Sequence, residues 1–445
     1  MKKIAALVLL SLSLNCFAQE ETGVSELVEQ GRLADAMELL EMEYNEGNKS
    51  AALELGRLSF LGYDFPEATR WYGLYKKEVK EKDDDLLMQY ERQLTDAEKM
   101  LERIQEIVII DSLTVSKEHL LSHFRLPKSA GRFLNPSAVR QMVGVEGDEI
   151  GFGFGNETGE SVMWSQPDST GMQRIVESIR LVDGTWSEPI WSSTTLNGVK
   201  AGDEDQTAIS NAAYPFLLDD GQTLYFASDA PGSIGGYDIY LATRDSSTGD
   251  YLQPQNMGMP FNSPYDDYMM AIDELNGIGW WATERLGIPG MVTIFVYELP
   301  EGRYNIDPEE VDDLVGYARI DNYRYNWNDE NNDRVTELNR VVASMDPDPF
   351  RENDFTLPIP GGGYYHFWSD FKKSKAQSAM KKYLESNEKY EASLAELKKL
   401  RRLYAAGSKD AATVEKILKL EASTEKMQAQ LKKELSDIYR IEFSK

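Results

Sequence analysis

The chain has 445 residues, 41% of them hydrophobic and 11% aromatic, which is enough for several buried cores and excludes wholesale disorder. At about 150 residues per domain, three domains are expected. With 47 Lys/Arg against 75 Asp/Glu the formal charge is −28, and so acidic a surface repels phosphate backbones, excluding general nucleic-acid binding.

Residues 1–18 read as a secretory signal. Lys2 and Lys3 form the charged start, Ile4 to Leu14 a short apolar stretch, and Cys16-Phe17-Ala18 before Gln19 a cleavage site. Lipoprotein processing at Cys16 is the alternative, disfavoured because Asn15 stands where a small residue is usual. Cys16 is the sole cysteine, so the cleaved chain would hold none. That excludes a disulfide framework, thiolate catalysis and cysteine zinc sites together. No later apolar run reaches the length of about 18 residues that a spanning helix needs, so the chain reads as exported and without a transmembrane segment.

Residues 22–106 read as helical throughout. Gly31-x-Leu33-x-x-Ala36-x-x-x-Leu40 recurs as Tyr63-x-Phe65-x-x-Ala68-x-x-x-Tyr72, with Leu55-Gly56 ahead of the second copy. The small Ala lets antiparallel helices approach, and the aromatic fills the space beside it. This spacing resembles the tetratricopeptide repeat; an ordinary helical bundle is the alternative. Two such units cannot bury a solenoid core alone, so they are expected to dock on something, such as a long polar helix near 83–106.

From 107 to 300 the pattern changes to strands and turns. Ile107-Val-Ile-Ile-Asp111 opens it, and a module then repeats. The clearest copy runs from Tyr214-Pro-Phe-Leu-Leu-Asp-Asp-Gly221 through Thr223-Leu-Tyr-Phe-Ala-Ser-Asp229 and Gly235-Gly-Tyr-Asp-Ile-Tyr240 to Gly258. A second spans Met270 to Tyr297, and a fainter one Ser161 to Pro189. The motifs, with Phe261-Asn-Ser-Pro-Tyr-Asp-Asp267, resemble TolB-type propeller blades of envelope proteins. That resemblance implies an all-β propeller-like domain, small or incomplete, to which residues 107–160 would add a further blade.

Residues 301–370 read as a mixed connecting region, with a short helix at Glu309 to Ala318, a polar loop at Asn326 to Asp333, and a turn into a strand at Gly361 to Trp368. Two long amphipathic helices follow in residues 371–445, at Lys372 to Tyr404 and Ala411 to Ile441. Leu384, Leu394, Leu397 and Leu400 in the first, and Val414, Ile417, Met427, Leu431, Leu435 and Ile438 in the second, share helix faces. An antiparallel hairpin or coiled coil is expected, with an apolar edge open to a partner or a second copy. This segment carries 18 Lys/Arg against 11 Asp/Glu, a basic tail on an acidic body.

Candidate sites are weak. His119 and His123, at i and i+4, could pair on a metal, but Leu120, Leu121 and Phe124 point to packing, and His366 is remote. The oxygens of Asn328 to Asp333 suit calcium, yet Asp333 takes the place where an EF-hand loop needs Gly. Asp203-Glu-Asp205 and Asp266-Asp267 are further acidic clusters of the kind that bind calcium, though expected by chance among so many acids. Asp183-Gly-Thr-Trp186 matches a fragment of the sialidase Asp-box without its leading residues. Trp164, Tyr225, Phe226, Tyr237, Trp280 and Trp281 fit a strand core better than a sugar platform. No catalytic, cofactor or metal residue is assigned.

The expectation is therefore a mixed α+β chain: signal 1–18, helical repeats 22–106, a propeller-like region 107–300, a connecting region 301–370 and a hairpin 371–445. The order resembles type IX secretion and gliding-associated periplasmic proteins without their OmpA-like domain. That resemblance implies a non-enzymatic periplasmic or outer-membrane-associated scaffold that binds envelope proteins and self-associates through its hairpin. The alternative is a carbohydrate-binding or carbohydrate-active propeller, marked by paired carboxylates beside exposed aromatics in its funnel.

Overall fold

A computed structural model describes residues 23–79, 84–145, 149–197, 210–309, 311, 313–321, 327, 331–345, 355, 357–358, 364–365, 368, 371–405 and 411–443. The signal segment, Asp203–Asp205, His366 and most of the Asn326–Asp333 loop lie outside them. The chain is a mixed α+β protein, with an N-terminal helical region, central antiparallel sheets and C-terminal helices. It divides into two compact units, Met1–Arg351 and Glu352–Lys445.

The first unit begins with α1 (Val24–Glu29), α2 (Leu33–Glu46), α3 (Ala51–Leu61), α4 (Phe65–Glu78) and α5 (Asp85–Leu101). Their ends follow local chemistry. Asp64 and Asp84 accept backbone N–H groups at the starts of α4 and α5, and Gly47 ends α2 at φ 116°. Ala68 is wholly buried between α3 and α4. A Cβ at Gly56 would stand 2.3 Å from the Tyr72 ring, so glycine there sets how closely the two helices pack.

Three antiparallel sheets follow. The first orders β2 (Arg132–Leu134), β3 (Gly153–Gly155), β4 (Ser161–Pro167), β5 (Gln173–Ile179) and β6 (Ile190–Trp191) in sequence, with α6 (Pro136–Val143) between β2 and β3. The second is a meander of β7 (Ala212–Leu217), β8 (Thr223–Ser228), β9 (Asp238–Thr243) and β10 (Gln255–Asn256). The third joins β11 (Asp267–Asp273), β12 (Ile278–Thr283) and β13 (Met291–Glu298) to β1 (Val108–Ser116) as its outer strand.

The repeat is visible in a shared irregularity. Both β7 and β11 bulge, at Tyr214 (φ 52°) and Met269 (φ 55°), between matching ladder pairs on β8 and β12. The described strands of residues 107–160 do not form a sheet of their own. β1 pairs with β13 from Val108–Glu298 to Ser116–Met291, while β2 and β3 enter the first sheet. The reason is the ladder itself: β13 offers a full free edge, and the β-branched run of β1 satisfies it.

β3, β7 and β11 lie side by side, running the same way. Phe152 stacks on Tyr214 at 5.5 Å and Tyr214 on Tyr268 at 4.7 Å, while one step along Phe154 meets Phe216 at 4.7 Å. The helices share one core with the sheet loops and with a later short helix, α7 (Leu314–Arg319). Ile234, Met259, Ile306 and Ala318 sit among the buried residues of α2 to α5. The short helix expected at Glu309 begins instead at Leu314, where Asp313 caps it by accepting the Gly316 N–H at 2.8 Å. α8 (Asn332–Ser344) lies over β1: Asn339 donates to the Ile110 carbonyl, and Trp327 from outside the helix donates to that of Ile109.

The second unit pairs β14 (Leu357–Pro358) with β15 (Tyr364–Tyr365) and then forms α9 (Ser374–Ala405) and α10 (Ala411–Phe443). Contacts of Arg401 with Glu421, Lys382 with Glu434 and the Lys372 N–H with Glu442 show the helices antiparallel. Of the expected seam residues, Leu397, Leu431 and Ile438 are buried, joined by Met380, Thr424 and Glu434. Leu384, Leu394, Leu400, Val414, Ile417, Met427 and Leu435 are half-buried, as a two-helix seam allows.

Candidate functional site

The parallel run of β3, β7 and β11 brings their N-terminal ends together. There Phe152, Tyr214 and Tyr268 form a three-ring stack, and Tyr237 meets Tyr214 edge-on at 5.9 Å. The bulge at Tyr214 turns its ring onto this stack. Two carboxylates border it. Glu284, just past β12, accepts from the Tyr268 hydroxyl at 3.0 Å and from Lys117 at 2.6 Å. Asp266, just before β11, accepts the Tyr237 N–H at 2.9 Å. Gly236 makes room for it, because a Cβ there would lie 2.2 Å from the Asp266 Oδ1. Asp229 stands exposed at the rim and holds Asn211 through the Asn211 N–H and side chain.

These acids act on the phenols. Burial, then Tyr237, Asp266 and Glu284, hold the Tyr214 hydroxyl well above its usual range. Burial with Asp229 and Asp266 pushes Tyr237 up to about 12. Both remain neutral donors at physiological pH, and neither has a hydrogen-bond partner among the described residues.

The repeat motifs themselves lead inward, to a polar network beneath the helices. Asp238 is wholly buried and accepts from the Ile234 and Gly235 N–H groups and from Asn256 at 2.8 Å. Burial pushes its carboxyl up to about 8 against those three donors. Asp267, also buried, accepts from Ser263 and from Arg285. Arg285 in turn donates to Thr283, to the Phe261 carbonyl and to the Ala318 carbonyl of α7. Tyr63, between α3 and α4, buries its hydroxyl in the field of Arg285 and Asp267. Gln93 of α5 donates to the Gly235 carbonyl, and Gln105 to that of Met257. The motif loops are thus the seat on which the helices dock.

The other candidates disperse. His119 and His123 fall in two successive short 3₁₀ turns, their Nδ1 atoms engaged with Ser116 and Ser122 respectively. Asp266 and Asp267 face different surroundings, one at the rim and one buried against Arg285. Among the described residues no group of three or more His, Cys, Asp or Glu converges on a metal position. Asp183 caps its own exposed hairpin turn through Thr185. Trp164, Phe226, Trp280 and Trp281 are core, Tyr225 is half-buried, and Tyr237 alone of that set reaches the converging strand ends.

Clefts also lie elsewhere among the described residues. One of about 220 Å³ is bordered by Lys128, Arg132 and Glu157 beyond the far end of β3. One of about 690 Å³ is bordered by Lys372, Lys375 and Arg440 at the base of the hairpin, where Glu442 already accepts the first backbone N–H groups.

Sequence reasoning missed Phe152, Tyr214, Tyr268, Glu284 and Lys117 as a group. Its available signal was the matched bulge position in the two strong repeats. Among the described residues no helix is long and apolar enough to cross a membrane. Compared with protein-family models, curated proteins and solved structures, the chain matches none.

Proposed function

We propose that the chain is a non-enzymatic scaffold or adaptor of the cell envelope, exported to the periplasm or the outer-membrane side, where it binds envelope proteins. In this reading α1 to α5 are tetratricopeptide-like, and the three sheets are blades of a small TolB-type propeller, with β1 as the outer strand of the last. The C-terminal hairpin is the docking arm and a route to self-association.

The observation that carries the reading is the joint. Arg285 and Asp267 form a buried ion pair from which Arg285 also reaches the Ala318 carbonyl of α7, while the carbonyls of Gly235 and Met257 in the motif loops accept from Gln93 of α5 and from Gln105. Such a joint makes one rigid surface from two interaction modules. Of the carboxylates beside the aromatic stack, Glu284 is engaged by Lys117 and Tyr268, and one oxygen of Asp266 by the Tyr237 N–H.

The test is photo-crosslinking in cells, with the reactive residue placed at Leu418, which is 59% exposed on the hairpin. Discrete adducts with envelope proteins, or with a second copy, are expected. A chain that is exported and folded but forms none from the hairpin or from Tyr237 would rule the scaffold out.

A further inference from the structure

Resting on that reading, we propose that the converging ends of β3, β7 and β11 are the docking site for a basic segment of a partner protein, taking its lysine or arginine side chains. The aromatic stack forms the floor. Tyr214 is sandwiched between Phe152 and Tyr268, so its faces are used while its hydroxyl edge faces the acids. Asp266 and Glu284 act on that edge and Asp229 and Asp266 on the neighbouring Tyr237 hydroxyl, while the cation placed beside them among the described residues, Lys117, is already held by Glu284 at 2.6 Å. The site therefore keeps an excess of negative charge.

Its hydrogen-bonding capacity is also unspent. The Tyr214 and Tyr237 hydroxyls lack partners among the described residues, and Asp266 uses Oδ1 on the Tyr237 N–H. An ammonium or guanidinium presents several donors and one positive charge, which matches acceptors and field together. A neutral sugar would satisfy the hydroxyls and leave the charge uncompensated, so the observations favour the cation.

The full-length protein is titrated calorimetrically with a tetra-arginine peptide and, separately, with a neutral oligosaccharide. Because the chain carries −28, any polycation will associate loosely with it, so the deciding variant must leave the charge untouched. Tyr214→Phe with Tyr237→Phe does so, and removes only hydroxyls without a partner among the described residues. Asp266→Asn removes charge but retains an oxygen for the Tyr237 N–H. We expect the peptide to bind and each variant to weaken it by about tenfold, the effect of losing one charge-assisted contact.

Equal peptide affinity in the wild type and the double phenylalanine variant overturns the proposal. So does binding of the oligosaccharide, rather than the peptide, that the same variants abolish. Adducts from Leu418 without a site-specific peptide effect would remove this inference and leave the scaffold standing; peptide binding without any adducts would do the reverse.

Discussion

Arg285 and Asp267 form an ion pair, Nη2 to Oδ1 at 3.0 Å, in which both side chains are wholly shut off from solvent. Isolated, either charge would be prohibitively costly there. The pair is tolerable because Arg285 also reaches three further acceptors, one of them the Ala318 carbonyl at the end of α7, and Asp267 accepts twice from Ser263. Replacing Arg285 by Met leaves Asp267 buried and unpaired, with an expected loss of about 3–5 kcal/mol in unfolding free energy. Urea denaturation monitored by tryptophan fluorescence measures it. A loss below about 1 kcal/mol would mean the pair does not hold the joint.

The second expectation concerns pH. The Asp238 carboxyl sits at about 8 when folded, against an ordinary 3.8. Between those values the unfolded chain has released a proton that the folded chain retains. Stability contributed by this group is therefore present below about pH 4 and falls as pH rises toward 8. Thermal melts from pH 5 to 9 should show a decline that Asp238→Asn flattens. A variant with the same slope as the wild type would assign the pH dependence to other groups.

Two glycines in the helical region should respond in opposite directions to alanine. At Gly56 the new methyl meets the Tyr72 ring at 2.3 Å, and overpacking of this kind costs about 1–3 kcal/mol. At Gly73, inside α4, nothing lies within 4 Å, and alanine should stabilise by about 0.5–1 kcal/mol through helix propensity. Comparing the two denaturation midpoints checks both. Like-signed shifts would contradict the close α3–α4 contact.

In the second unit Glu442 ties the end of α10 to the start of α9. Its carboxylate accepts the Lys372 N–H at 2.8 Å, the Lys373 N–H at 3.3 Å and the Tyr365 hydroxyl. Glu442→Ala should loosen the first turn of α9 by about 1 kcal/mol, comparable to losing a helix cap. Hydrogen exchange would show faster amides at residues 372–376 with the middle of the hairpin unchanged. Uniform acceleration along both helices would point instead to loss of the seam.

Local chemistry made the elements legible. The Ala36 and Ala68 spacings announce packed helices, the Tyr214–Tyr240 module announces its hairpins, and the leucine steps of 384–400 announce an amphipathic helix. What depends on distant partners was not legible. No period in the sequence tells that Val108–Ser116 belongs beside Met291–Glu298, because any free edge of suitable length would accept a β-branched run. The strand-end cluster was hidden for a related reason: Phe152, Tyr214, Tyr268 and Glu284 come from different sheets or strands and meet only through their packing. Asp267 was visible as part of a motif, but its role was not, since Arg285 lies outside that motif.

The pairing of β1 with β13 also sets a timetable. β1 leaves the ribosome early, yet its hydrogen-bonding partner is the last strand of the three large sheets, with residues 117–290 between them. Until Met291–Glu298 arrives, β1 exposes both edges and a β-prone run, the state in which a chain is most open to mispairing. Contacts so distant along the chain slow the final folding step. The protein should therefore depend on chaperoning while it folds more than its individually local hairpins would suggest.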